Sequence, residues 1–175
     1  MVSPFIPAEH GSCAVETADK AVPVHEYKQF AGSFLTGVAV VTARDEDGDH
    51  GCTVSSVSSI SLDPSLMMVC LHRMSQTLRV IERTGRFAVS LLAQGEQATR
   101  TALVFARPGR DAFDQVTLER SPAGLAISPV AVAQAELTVQ ALHDGGDHAI
   151  VLGTPVWTSA DDGAPLAYWR SRFLS

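Results

Sequence analysis

The chain has 175 residues, 46% hydrophobic and 18% charged, with a formal net charge of -6. That length suits one domain, and that apolar content can bury a core, which excludes global disorder. The acidic balance argues against a protein that coats nucleic acid. No apolar run approaches the ~20 residues of a membrane span, so neither nucleic acid nor a membrane is expected as a partner. The first twenty residues lack a basic segment followed by an apolar one, and so do not read as a secretory signal. Cys13, Cys52 and Cys70 are far apart, odd in number and without a CxxC pair. This argues against a disulfide framework and a zinc site, and a cytoplasmic location is expected.

Residues 1–24 mix Pro, Gly, Ser and charges without periodicity and are expected to form a flexible extension or an arm lying on a partner subunit, with a single domain over 25–175. Tyr27, Phe30, Phe34 and Leu35 recur at helical spacing, predicting a short amphipathic helix over 25–35. Residues 37–43 read as a buried β-branched strand, and the acidic run 45–49 as a turn. Residues 51–62 read as one strand-like stretch, and 66–72 as a strand covered on both faces. Ser75 is a cap for a helix running to about Arg83, stopped by Gly85. A strand over 86–92 and a helix over 94–106 follow, the helix burying Ala98, Ala102, Leu103 and Phe105. A short strand is expected over 115–119. A long hairpin, 132–143 with 148–158, turns at Asp144-Gly145-Gly146-Asp147, and a last strand covers 166–170. Strands outnumber helices and do not alternate with them, so a mainly antiparallel β-barrel with peripheral helices fits better than a doubly wound sheet.

Three clusters could carry chemistry. Thr53, Ser55, Ser56, Ser58, Ser59 and Ser61 crowd one strand-like segment. Either the segment is an edge strand with one wet face, or its hydroxyls and amides form a wall against a polar ligand. His72-Arg73-Met74-Ser75-Gln76-Thr77 sits at a strand-to-helix junction. It reads as an ordinary capped helix start or as a phosphate seat with an arginine among the donors. Gly145-Gly146-Asp147-His148 is a hairpin turn that either exposes His148 or sets it at a pocket mouth. Glu136 falls inside a strand and is given no direction and no role. The chain holds no GxGxxG, Walker A, HExxH or GxSxG signature.

In order, these segments resemble the short-chain flavin reductase family, the reductase components of two-component flavin-dependent monooxygenases, built on the FMN-binding split barrel. The resemblance covers about residues 27–173. It rests on Phe30-Ala31-Gly32-Ser33-Phe34-Leu35-Thr36-Gly37-Val38-Ala39-Val40-Val41-Thr42 and on Gly51-Cys52-Thr53-Val54-Ser55-Ser56-Val57-Ser58-Ser59-Ile60-Ser61-Leu62-Asp63-Pro64. Ser75-x-Thr77, Gly85 to Ser90 and Gly146-Asp147-His148 follow in the family's order. Val57 stands where the family usually has an aromatic, Ser65 where it has a second proline, and Ser171 where it has a glycine.

The resemblance implies a mainly β, antiparallel split barrel of Greek-key type with a few short peripheral helices. It implies an NAD(P)H-dependent flavin reductase, with FMN or FAD as flavin and NADH or NADPH as hydride donor. The partners it implies are a second copy in a homodimer and a flavin-dependent monooxygenase. The alternative is a flavin carrier or tightly bound flavoprotein without NAD(P)H turnover. The implied cofactor-binding residues are Thr36, Thr53, Val54, Ser55, Ser56, Ser58, Ser59, Ser75, Thr77, Arg86, Gly146 and Asp147. His148 is the implied catalytic residue, on the nicotinamide side, and no metal is implied. Cofactors carry hydride chemistry themselves, so an enzyme of this kind needs no protein nucleophile.

Overall fold

The computed structural model describes residues 21–107, 109 and 111–174. Residues 1–20 of the expected extension, Cys13 among them, lie outside the described residues. The elements in order are α1 (Val24–Gly32), β1 (Thr36–Gly37), β2 (Ala39–Asp45), β3 (Gly48–Val54), β4 (Val57–Leu62), β5 (Ser65–His72), α2 (Gln76–Thr84), β6 (Arg86–Leu92), α3 (Glu96–Phe105), α4 (Ala112–Gln115), β7 (Glu119–Arg120), β8 (Ala126–Ile127), β9 (Ala131–Gly145), β10 (His148–Ala160), β11 (Ala167–Trp169) and β12 (Arg172–Leu174). All the strand pairs are antiparallel. None of the described helices is long and apolar enough to cross a membrane.

Seven strands form one sheet in the order β3-β2-β6-β9-β10-β5-β4. Its two edge strands, β3 and β4, are consecutive in the chain, separated only by Ser55 and Ser56. Six inter-strand gaps of ~4.8 Å would set the edges of a flat sheet ~29 Å apart. Three Cα–Cα steps from Val54 to Val57 reach at most ~11 Å. The sheet therefore has to curl until its edges meet. Ser56 ties the link to β5, continuing the β4–β5 pairing by one residue: its carbonyl accepts the Cys70 N–H at 3.1 Å, and its hydroxyl donates to the Cys70 carbonyl at 3.0 Å. β3 and β4 do not pair with each other, so the barrel is split rather than closed.

Two apolar clusters pack on the sheet. β2 serves both: Ala39, Val41 and Ala43 enter one, with Leu78, Ile81, Phe87 and Leu137. Val40, and Val38 just before the strand, enter the other, with Leu92, Phe105 and Leu166. This is the burial that the β-branched run predicts. α2 is capped at both ends as expected. The Ser75 hydroxyl accepts the Leu78 N–H, and Gly85 takes the left-handed conformation at φ 67°. Glu136 is buried at 4% exposure. It accepts the Ser121 hydroxyl and, at 2.8 Å, the Ala123 N–H, pinning the turn before β8 onto the sheet.

Several expectations are corrected. Residues 51–62 are not one stretch but the ends of β3 and β4 on opposite edges. Residues 115–119 are not a strand, since α4 ends at Gln115 and β7 begins at Glu119. Leu103 is exposed, because α3 turns Ala98, Thr101, Ala102 and Phe105 inward instead. β5 fully buries only Val69 and Leu71. α1 stops at Gly32 and buries none of its residues. The last strand is a hairpin, β11 with β12, joined to β1 in a separate three-stranded sheet.

Asp49 illustrates the surface electrostatics. Burial pushes its carboxyl up, but hydrogen bonds and charge from Arg120 and Arg44 outweigh that and hold it below the usual value. A carboxylate depressed in the folded state stabilises fully above its unfolded pKa of ~3.9, and that contribution is lost as pH falls through the lower folded value. The urea midpoint should therefore hold from pH 7 to pH 5 and drop below about pH 4, with Asp49→Asn showing a flatter acid decline.

Arg170 and Ser171 link β11 to β12 with φ of 46° and 63°. Two positive φ values in a two-residue loop suit glycine or asparagine, not serine. Ser171→Gly should raise stability by ~0.5–1 kcal/mol, about 2–3 °C in thermal midpoint. A fall in the midpoint would contradict the strain.

Candidate functional site

Where the curled edges meet without pairing, a cavity of about 260 Å³ remains. Cys52 to Ser56 form one wall and Cys70 to His72 the other, with Ser75 and His148 also lining it. A second cavity of about 270 Å³ adjoins it, sharing Cys52 and Ser75. This second space lies between the start of β3, the first turn of α2 and the end of α3, where Phe105 and Arg107 line it. Gly51 permits that approach, since a Cβ there would lie 2.8 Å from the Phe105 ring.

The hydroxyls are not equivalent. Thr53 donates to the Ala102 carbonyl at 2.7 Å, which ties β3 to α3. Ser56 is spent on Cys70. The Ser75 oxygen caps α2, and its hydroxyl also hydrogen-bonds Cys52. Thr77 is buried, and its hydroxyl hydrogen-bonds Cys52. Ser55 is exposed on the link and makes no hydrogen bond within the described residues. Val54 is buried, and its side chain packs in the core. Ser58 and Ser59 are exposed on edge strand β4 and line neither cavity. Of the two readings of this segment, the ligand wall fits Thr53 to Ser56 and the wet edge fits Ser58 and Ser59. Burial pushes the Cys52 thiol up, against hydrogen bonds with Thr77 and Ser75. It stays a neutral thiol at physiological pH, not a nucleophile.

The β9–β10 turn brings Gly146, Asp147 and His148 to the same place. His148 pairs in register with His72, and the two rings meet edge to face at 5.3 Å and 81°. His148 Nδ1 is 2.7 Å from Asp147 Oδ1, which fixes that nitrogen and leaves Nε2 available. The hydrogen bond and charge of His148 lower the Asp147 pKa. Arg73 does not point toward the α2 N-terminus as a phosphate donor. Its Nε donates to the Gly146 carbonyl at 2.7 Å and its guanidinium pairs with Asp144, holding that carboxyl below its usual range.

Two expected residues stand apart. Thr36 lies in the three-stranded sheet, with its hydroxyl 3.5 Å from the Tyr168 carbonyl. Arg86 is exposed at the start of β6, beyond the far end of α2. The nine residues of that helix set it ~14 Å or more from Ser75. Arg86 therefore stands at the opposite end of α2 from Ser75 and Thr77 in this chain. The cavity walls also include Cys52, Cys70 and Phe105, which were given no role, and His72, which heads the second cluster. For Cys70 and His72 the signal was available, because period-2 alternation in 66–72 puts both on one face, opposite Val69 and Leu71.

Residues 31–175 match the family model described as flavin reductase like domain. The chain is 36% identical over 173 residues to the "Flavin reductase (NADH)" of Kitasatospora aureofaciens, covering 96% of this chain and 90% of that protein. It is 34% identical over 161 residues to the "4-nitrophenol 4-monooxygenase/4-nitrocatechol 2-monooxygenase, reductase component" of Rhodococcus opacus, covering 91% and 82%. The NADH:FAD oxidoreductase SgcE6 of Streptomyces globisporus, solved in complex with NAD and FAD fragments, superposes with a TM-score of 0.81. That pair shares 29% identity over 90% of this chain and 96% of the other. The curled sheet, its seam and the matches over nearly the whole described chain agree, and the protein belongs to the flavin reductase-like family.

Proposed function

We propose that this protein is an NAD(P)H:flavin oxidoreductase that reduces FMN or FAD with NADH or NADPH and supplies reduced flavin to a partner monooxygenase in the cytoplasm. The observation that carries this reading is the seam cavity. It is lined by Ser55, Ser75 and His148, and it shares Cys52 and Ser75 with the adjoining cavity against the first turn of α2.

Those residues fit a flavin. The unpaired N–H groups of the first α2 turn suit a phosphate. Ser55 and the backbone around it suit a polar ring edge. The chemistry the bound cofactors supply is hydride transfer from nicotinamide to flavin. This chain contributes position. Thr53 and Ser56 hold the two walls at a fixed spacing through their bonds to Ala102 and Cys70. Fixed dipoles aimed at the ring edge need no rearrangement as charge develops there. His148 Nε2 can orient the nicotinamide carboxamide, because Asp147 fixes the opposite ring nitrogen. The site is shallow and hydroxyl-lined, which suits a flavin that must leave after reduction.

The same reading has residues 25–175 as one domain and the chain as a homodimer. Tyr27, Phe30, Phe34 and Leu35 are 59%, 78%, 74% and 58% exposed. Together they offer roughly 500 Å² of apolar surface, most of the ~800 Å² that each partner of a stable dimer buries. Light scattering should give a dimer, and Phe30→Asp with Phe34→Asp should give a folded monomer. A monomeric parent protein would refute the pairing.

The deciding assay is NADH oxidation followed at 340 nm with FMN, with FAD and without flavin, repeated with NADPH. Turnover that requires added flavin is expected. His148→Ala should lower NAD(P)H turnover about tenfold or more while changing flavin affinity less than twofold. Folded protein that retains flavin through gel filtration yet oxidises neither donor would point to a carrier instead.

A further inference from the structure

The turn that carries His148 has no buried anchor of its own, since residues 143–147 are all exposed. Exposed hairpin ends open locally at little cost unless something outside the ladder holds them. Here that something is a single residue of the β5–α2 loop. The Arg73 backbone N–H donates to the Asp147 carbonyl at 3.0 Å. Its Nε donates to the Gly146 carbonyl at 2.7 Å. Its terminal nitrogen pairs with the Asp144 carboxylate, which also accepts the Gly146 N–H at 3.0 Å. Residues 144–147, the end of β9 and the turn, are thus gripped at three positions from one side chain and one amide.

We propose that Arg73 is a positioning residue, clamping the β9–β10 turn against the β5–α2 loop and so fixing where His148 stands at the cavity mouth. The inference rests on the reading of His148 as the nicotinamide-side group. Arg73 directly follows His72, the last residue of β5, whose ring meets His148, and its loop carries Ser75, which caps α2 and lines both cavities. Arg73 therefore sits between the two ends of the site and sets their spacing. Arginine suits this task because its fork can serve a carbonyl and a carboxylate at once, which a lysine cannot do with the same geometry. The ion pair is exposed, with side-chain accessibilities of 47% and 79%. Exposed pairs add little to global stability, so an effect of Arg73 on function will not be an effect on folding.

The test compares Arg73→Gln, Arg73→Lys and Asp144→Asn with the parent protein. For Arg73→Gln, KM for NADH should rise about tenfold, as small misplacements of a positioned group do. KM for FMN should stay within twofold and the thermal midpoint within 2 °C. Arg73→Lys should fall between the parent and the glutamine variant, and Asp144→Asn should repeat the pattern even if Arg73→Gln fails to fold. In a His148→Ala background, Arg73→Gln should change KM for NADH less than twofold, because it acts through the missing ring. Amide exchange at Gly146 and Asp147 should be faster in Arg73→Gln. An unchanged KM for NADH in an active parent, an undiminished effect without His148, or unchanged exchange would each overturn the clamp. A folded parent that oxidises neither NADH nor NADPH would instead overturn the reductase reading, while the exchange measurement still tests the clamp.

Discussion

Two residues join the opposite edges of a seven-stranded sheet, and the architecture follows from that reach. A link as short as Ser55-Ser56 cannot span a flat sheet, so every strand between β3 and β4 must share in the curl. The tie of the link to β5 is local: one serine exchanges its carbonyl and its hydroxyl with one cysteine backbone. Because the edges touch without forming a ladder, the seam keeps a gap, and the gap is the site. Fold and pocket are therefore one consequence of the same short connection.

The walls of that gap are neutral, and most of the formal charge around it is already neutralised. Asp49 is held by Arg44 and Arg120, Asp45 by Arg83, and Asp144 by Arg73. Glu136, which is also buried, is spent on the turn before β8. What remains at the seam is hydroxyls, amides, the thiols of Cys52 and Cys70 and the imidazoles of His72 and His148. Such a set can hold and orient, and burial keeps its thiols protonated. It suits a reaction whose electrons belong to bound cofactors.

Much of this was legible in the residues. The caps of α2 are written in Ser75 and Gly85, and the β9–β10 turn in its paired glycines. The burial of β2 shows in its β-branched run, and the order of five short motifs pointed to the family. What failed did so for physical reasons. No glycine or proline marks the break at Ser55-Ser56, because the chain stays extended while it changes edge. Hence one serine-rich stretch read as one strand. Motif order also says nothing of distance: Ser75 and Arg86 are close in sequence, yet a full helix separates them. Leu103 and Glu136 point opposite to a simple hydrophobicity rule, the first outward beside the smaller Ala102, the second inward to meet a hydroxyl and an amide. The exposed aromatic face of α1 has the spacing of a core helix, but the described chain offers nothing to cover it.

Thr53 and Ser56 show what a pocket wall made of committed groups implies for reading variants. Each side chain borders the cavity, but each spends its proton on a neighbouring carbonyl. Replacing either with a residue that cannot donate breaks that tie, although the Ala102 carbonyl keeps the Ala106 N–H, and frees a strand or helix to drift. The wall moves before any contact with an occupant is lost. Weakened binding in such a variant would report the spacing of β3 from α3 or β5, and Ser55 would remain the position where a lost hydroxyl means a lost ligand bond.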